Sequence, residues 1–327
     1  MSDVFSLAGQ NLLSPMVLFF VLGLLAALAK SDLVIPEAIA KGLALYLMMA
    51  IGFKGGAQVA ASGADARMAA TILAGIGLSL VIPGLAFLLL RATTALSAID
   101  AAATAAHYGS ISIVTFIAGT QAMQAMGLQY DGYLVAVAAG MEAPAIVTAL
   151  LIARRYSSGS RDEPLSRMLR EVATNSSIVL LVGAFIIGWI TGARGFDMIK
   201  PFIGDLFLGV LCLFLLDMGV VAGRGMREGR RYLTAPVIAF ALYMPLVSAS
   251  LTLPLALLIG LSPGSAALFM TMAASASYIA VPAAMRLALP EANASVYLTL
   301  SLGVTFPFNL MLGIPIYVWI AQSAIRS

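Results

Sequence analysis

Charged side chains are what this sequence most lacks. Asp, Glu, Lys and Arg make up 10% of its 327 residues, against about a quarter in an ordinary soluble domain. From Tyr232 to Met285 there is none in 54 consecutive residues. With 61% hydrophobic residues and a mean hydropathy of +1.01, the chain cannot cover an aqueous surface. A soluble domain is excluded, and the chain reads as an all-α polytopic membrane protein. Cysteine occurs once, at Cys212, which excludes an intramolecular disulfide and a cysteine-based zinc or iron–sulfur centre. The net charge is only +3, and the basic residues gather in two loops, a pattern of membrane orientation rather than nucleic-acid binding. The first apolar run, Pro15 to Ala29, is preceded by Asp3 and by no Lys or Arg. That is the wrong flank for a cleaved secretory signal, so the run is taken as the first span.

What the chain has instead is a series of long apolar runs. A spanning helix takes about 20 mostly apolar residues, and ten can be drawn: 13–30, 34–53, 68–91, 98–125, 131–153, 176–193, 201–222, 233–260, 264–287 and 294–323. The longest polar stretch, Arg154 to Asn175, divides them into residues 1–155, a linker at 156–175, and residues 176–327. That stretch holds Arg154, Arg155, Arg161, Arg167 and Arg170, and the next basic loop is "RGMREGRR", Arg224 to Arg231. Two spans separate these loops, so they share a side, and the positive-inside rule makes that side cytoplasmic. With Lys30, Arg91 and Arg286 added, 12 basic residues fall inside, against 5 outside: Lys54, Arg67, Arg194, Lys200 and Arg326. Both termini are then expected on the outer side of the membrane.

The halves repeat. Pro36 and Pro201 are 165 apart, as are Gly23 and Gly188. Each proline is expected to open the second helix of its half, where a missing N–H costs nothing. "GMEAP" at 140–144 matches "GVTFP" at 303–307, and Ser110 and Ser277 are 167 apart in "AHYGSISIVTF" and "ASASYIAVPAA". Five spans per half is an odd number, so the halves must be inverted, as in secondary transporters.

Polar residues interrupt the apolar runs at matching places. "HYGSIS" (His107 to Ser112) and "SASYIAVP" (Ser275 to Pro282) fall inside the fourth and ninth spans. Irregular backbone at membrane depth is tolerated only when buried in protein or lining a wet cavity. Both helices are therefore expected to be discontinuous and to cross, with helix ends that favour an anion and hydroxyls and carbonyls that favour Na⁺. The competing expectation is that these serines bond back to the preceding turn. Ionisable groups inside the membrane cost about 2.5–3.5 kcal/mol each and are functional candidates. Glu142 in the fifth span is expected to coordinate a cation or relay protons, or to be a protonated structural carboxyl. Asp217 in the seventh could pair with the Arg224–Arg231 loop, and His107 borders the first break. Glu37 and Lys41 form an i, i+4 helix pair. "GFKGG" at 52–56 reads as a helix C-cap and turn rather than a phosphate loop.

These residues resemble the sodium-dependent bicarbonate transporters first recognised in cyanobacteria. The likeness rests on "LVIPEAI" at 33–39, "GMEAPAIVTALLIA" at 140–153, "AASASYIAVPAAMRLALPEANASVY" at 273–297 and the "MGVVAGR" end of the seventh span. The resemblance implies ten transmembrane helices in two inverted five-helix repeats, with discontinuous crossing helices 4 and 9. A core of helices 3–5 and 8–10 would move against a gate of helices 1, 2, 6 and 7. It implies sodium-coupled import of a small anion, most simply bicarbonate, with no cofactor, and a homo-oligomer such as a trimer. Some relatives answer to a cytoplasmic PII-like protein, although the central loop here is much shorter. Gly109, Ser112 and Thr115 match the family's first break, and Ser275 and Ser277 its second. Glu142 stands where cyanobacterial members have Asp. Tyr278 stands in place of an acidic residue and His107 in place of an apolar one, and both changes alter the pocket.

The resulting expectation is a substrate held by Tyr108, Gly109, Ser110, Ser275, Ala276, Ser277 and Tyr278. Na⁺ would be coordinated by Glu142, Ser112 and Thr115, with Thr305 contributing to coupling and His107 and Asp217 accessory. The rivals are an H⁺- or Na⁺-coupled organic-anion symporter of the same fold, a passive channel, and an intramembrane aspartyl protease. The protease would need two close carboxylates, and Asp217 and Glu142 lie in different halves without a protease motif.

Overall fold

A computed structural model of the chain describes residues 13–63, 65–142, 144–153, 176–229, 232–278 and 291–325, together with Arg170, Val281, Pro282, Met285 and Leu289. Among these the protein is helical throughout: α1 (Pro15–Leu28), α2 (Glu37–Ser62), α3 (Ala66–Thr93), α4 (Ala98–Gly109), α5 (Ile113–Ala125), α6 (Leu134–Gly140), α7 (Pro144–Ala153), α8 (Ser176–Lys200), α9 (Phe207–Glu228), α10 (Ala235–Ile259), α11 (Pro263–Ala273) and α12 (Ala294–Ile325). Seven helical stretches are long and apolar enough to cross a membrane, taking α4 and α5 as one, while Pro15–Leu28 and Leu134–Ala149 are shorter apolar helices. The chain is a multi-pass membrane protein.

Helix starts are set by side chains that satisfy first-turn amides, a strong requirement where water is absent. Ser14, Asp65, Ser97, Ser112 and Ser262 accept from Val17, Met68, Asp100, Thr115 and Ser265 N–H. Gly260 closes α10 in the left-handed region (φ 76°), and Gly192 (φ 59°, ψ −150°) kinks α8. Pro36 caps α2. Pro201 does not open a helix cleanly; it starts a π-helical turn, Pro201–Asp205, that leads from α8 into α9. Two further π stretches, Thr299–Thr305 and Asn309–Gly313, lie within α12.

The expected turn at "GFKGG" is not there, because α2 runs through it to Ser62. Those glycines are a packing face. A Cβ on Gly52 would lie 2.6 Å from Leu181 O, and one on Gly56 1.9 Å from Phe185 O, both on α8. Glycines let helix backbones approach this closely in membranes. The arrangement is reciprocal: Gly219 and Gly223 of α9 meet Phe20 O and Leu24 O of α1, while Gly23 meets Leu216 O and Gly188 meets Phe53 O. Lys54 accordingly lies inside α2, above the Phe207 ring, and not in an outer loop. Arg224 and Arg227 belong to α9, where they donate to Leu33 O and Ala27 O. The Arg154–Arg167 segment, Arg230 and Arg231 lie outside the described residues.

A second pair of ties joins the two halves. Ser97, at the start of α4, donates to Asp100, whose Oδ1 accepts from Asn293 N at 2.8 Å. Ser262, at the start of α11, donates to Ser265, which accepts from Asp131 N at 2.9 Å and donates to Asp131 Oδ2. Ser97 and Ser262 are 165 apart, as are Asp100 and Ser265. The start of each broken helix is thus anchored to residues of the opposite half.

Candidate functional site

The fourth span is broken. α4 ends at Gly109, Ser110 and Ser112 are extended, and α5 begins at Ile113. Glycine is required at the break because a Cβ there would lie 2.2 Å from Pro83 Cγ and 2.9 Å from Ala145 Cβ. The ninth span is also interrupted. α11 ends at Ala273, and Ser275–Ser277 are non-helical before helix resumes at Val281 and Pro282. Pro282 lies at the start of the resumed helix, just after the break. Ile279, Ala280, Ala283 and Ala284 lie outside the described residues.

The two breaks touch. Ser112 N donates to Ser275 Oγ at 2.8 Å, and Ser277 N donates to His107 O at 2.7 Å. Ser275 Oγ donates in turn to Met272 O, so this hydroxyl does bond back onto the preceding turn. Ser110 does not; its hydroxyl reaches across to Glu142 O at 3.0 Å. Ser112 caps Thr115 N. The amides of Ile113 and Val114, in the first turn of α5, have no intrahelical acceptor, and the positive end of that helix faces the break.

A third interruption was not foreseen from the sequence. The fifth span is split between α6 and α7, with Met141 and Glu142 in a turn before Pro144. Ser79 Oγ donates to Met141 O at 2.7 Å and accepts from Ala145 N at 3.2 Å, so one α3 hydroxyl holds both lips of this break. Glu142 is buried, and its Oε2 has no hydrogen-bond partner.

Around the breaks, His107 Nδ1 lies 2.7 Å from Ala103 O. A carbonyl can only accept, so Nδ1 carries the proton and Nε2 is left as a buried acceptor without a partner. The imidazole stacks on Tyr297 at 4.5 Å. Tyr108 Oη pairs with Thr305 Oγ1 at 2.7 Å, and Thr305 donates to Ala241 O, tying α4, α10 and α12 together. Tyr278 Oη sits beside Ser112 without closing a hydrogen bond. The Tyr278 ring meets the edge of Phe306, which in turn meets Phe20 of α1.

Buried polar atoms without partners are rare in folded proteins. Six occur among the described residues, and five of them, on Thr104, His107, Thr115, Glu142 and Tyr278, belong to α4, α5 or the breaks. Asp217 is buried on α9, and no ion pair or hydrogen bond joins it to these residues. Asn309 was missed by the sequence reading. Its Nδ2 donates to Ala274 O at the end of α11, and its Oδ1 accepts from Tyr317. Of the two amides in the tenth span, Asn309 and Gln322, only Asn309 lies mid-span, and that was the available signal. Among the described residues no cluster of three His, Cys, Asp or Glu side chains forms a metal site.

The sequence model of the Na⁺-dependent bicarbonate transporter superfamily matches residues 15–322. The chain belongs to this family. It is a membrane transporter and not an enzyme, and sodium and bicarbonate are the solutes its family is named for. No curated protein matches the chain.

Proposed function

We propose that the protein is a secondary transporter that imports a small anion, bicarbonate in the first instance, together with Na⁺. The observation that supports this reading is the meeting of two helix breaks, one from each half, inside a cluster of buried polar atoms without partners. The anion is taken up between the breaks, against Ser277, Tyr278 and the first-turn amides of α5. Tyr108, Gly109, Ser110, Ser275 and Ala276 shape its pocket. Ser110 and Ser275 act by fixing backbone rather than by direct contact, since their hydroxyls already donate to carbonyls. Na⁺ is taken by Glu142 with Ser112, Thr115 and nearby carbonyls, and Thr305 couples the site to α10. Asp217 is outside this set.

In this reading the halves are inverted repeats. α3–α7 and α10–α12 form a core that rocks against a gate of α1, α2, α8 and α9 to give alternating access. The 165-residue spacing of Ser97 and Ser262, and the mutual packing of α1 on α9 and α8 on α2, support the symmetry. The basic residues orient both termini outward in a bacterial inner membrane, with Lys54 removed from the outer count. A trimer and a PII-like regulator rest on the family resemblance alone.

The test is uptake of labelled bicarbonate into proteoliposomes with and without a Na⁺ gradient. Na⁺-dependent accumulation is expected, and Glu142→Ala abolishes it while the protein still inserts and remains monodisperse. Full uptake by that variant overturns the Glu142 role. Dependence on pH alone would point to a proton-coupled organic-anion symporter with His107 Nε2 as the proton acceptor. Flux without stoichiometric Na⁺ movement would point to a channel.

A further inference from the structure

Lys54 is an intramembrane cation that the site above does not use. A lysine in a spanning helix costs about 2.5–3.5 kcal/mol and faces the bundle interior or a wet cavity. Its ammonium lies 4.1 Å from the centroid of the Phe207 ring, an attractive cation–π placement. The Asp205 carboxylate lies near enough to act on it through charge, but no ion pair closes between them. It also lines a cavity of about 360 Å³. Gln58, one turn further along α2, shares its wall. Gln124 and Tyr130, from the end of α5 and the link after it, line the opposite side. Gln124 Nε2 donates to Tyr130 Oη at 3.3 Å, so the phenol and the amide are held together. Phe196 and three alanines complete the lining, and no carboxylate is part of it.

A cation, two amides and a phenol in a partly apolar recess suit a small anion. The apolar walls lower the local dielectric and strengthen the attraction. The recess lies between α2 and α8 on one side and α5 on the other, the seam along which gate and core would part. We propose that this cavity is an antechamber in which Lys54 gathers a small monovalent oxyanion before it passes to the helix breaks. The proposal rests on the transport reading above. In that role, a cation in the recess would raise the local anion concentration and speed capture without touching the later conformational step.

The test measures uptake of labelled bicarbonate and, in parallel, labelled acetate by proteoliposomes of wild type, Lys54→Gln, Lys54→Arg and Gln124→Leu over a range of ionic strengths. Lys54→Gln is expected to raise KM on the order of tenfold, with Vmax within about twofold, and to flatten the rise of KM with salt. Lys54→Arg keeps a wild-type KM, and Gln124→Leu raises KM by less than Lys54→Gln. A wild-type KM in Lys54→Gln overturns the antechamber. So does an equal loss of Vmax in Lys54→Gln and Lys54→Arg with KM unmoved, which marks a structural ammonium over Phe207. If wild type carries acetate and not bicarbonate, the KM readings on acetate decide the antechamber while the bicarbonate assignment falls. A wild type that carries neither anion removes both.

Discussion

Asn309 does two things with one side chain. Its amide N–H₂ satisfies the carbonyl that α11 leaves open where it stops, and its amide oxygen holds the Tyr317 hydroxyl. Both bonds are buried, so neither group has water to fall back on. Asn309→Ala is expected to destabilise the protein by about 1–3 kcal/mol, the cost of stranding a buried carbonyl, and to lower uptake by loosening the ninth-span break. Tyr317→Phe removes only the donor and should cost about 1 kcal/mol. Thermal unfolding in detergent gives the order; equal effects would mean that the Ala274 bond contributes little. The same scale shows the limit of the sequence reading. Hydroxyls in "HYGSIS" and "SASYIAVP" could be recognised as out of place in an apolar run. The acceptor each one finds could not, because Ser110 and Ser275 sit in similar sequence surroundings yet one bonds across to the fifth span and the other back onto its own turn. Asn309 was overlooked for the same reason: its partner lies 35 residues away, at a helix end no local pattern marks.

At the scale of elements, small residues carry the helix pairing. Gly52 and Gly56 on α2, and Gly219 and Gly223 on α9, bring backbones into contact with α8 and α1. Adding a methyl at Gly56 or Gly219 places it 1.9 Å from Phe185 O or 2.1 Å from Phe20 O, and backbone cannot move aside as a side chain can. Gly56→Ala and Gly219→Ala are each expected to cost about 1–3 kcal/mol, the range of overpacked cores. Gly42 lies on the same helix as Gly56 with nothing within 4 Å of its would-be Cβ. Gly42→Ala should be neutral or stabilising by up to about 1 kcal/mol, since it only restricts the unfolded chain. Melting curves of the three variants check this, and a Gly56→Ala protein as stable as Gly42→Ala would sink the close-packing account. The 165-residue recurrence of Gly23 and Gly188 was legible as a repeat, but that both are packing contacts, on Leu216 O and Phe53 O, shows only in the structure. The glycines at 52–56 were read as a turn because glycine signals both a helix stop and a packing face, and only the opposing helix tells them apart. The split of the fifth span was hidden differently. Pro144 marked it, but its stability comes from Ser79, on a helix that begins 78 residues before it.

For the whole molecule, the question is whether one set of helices moves against another. The proposed boundary is crossed where the end of α9 meets α12: a Cβ on Gly229 would lie 3.1 Å from Thr299 Cβ, and Thr299 Oγ1 donates to Gly225 O. That spacing is a few tenths of an ångström short of the roughly 3.5–4.5 Å Cβ separation of a disulfide, a gap that side-chain and backbone adjustment can open. Gly229 has φ −82°, a value that any residue tolerates. The one native thiol, Cys212, is buried and free, so a Cys212→Ala background leaves the introduced pair alone. In that background Gly229→Cys with Thr299→Cys should oxidise readily, stop uptake when cross-linked, and recover on reduction. Thr299→Cys by itself should transport under both conditions, which separates locking from simple damage; Gly229→Cys alone is a poor control, because its Cβ would lie 2.2 Å from the native Thr299 Oγ1. If the proposed core rocks against the proposed gate, these two positions must separate in at least one state, since they are then assigned to different bodies. Undiminished uptake by fully cross-linked protein would mean that α9 and α12 travel together, and the division into gate and core would have to be redrawn along a different seam.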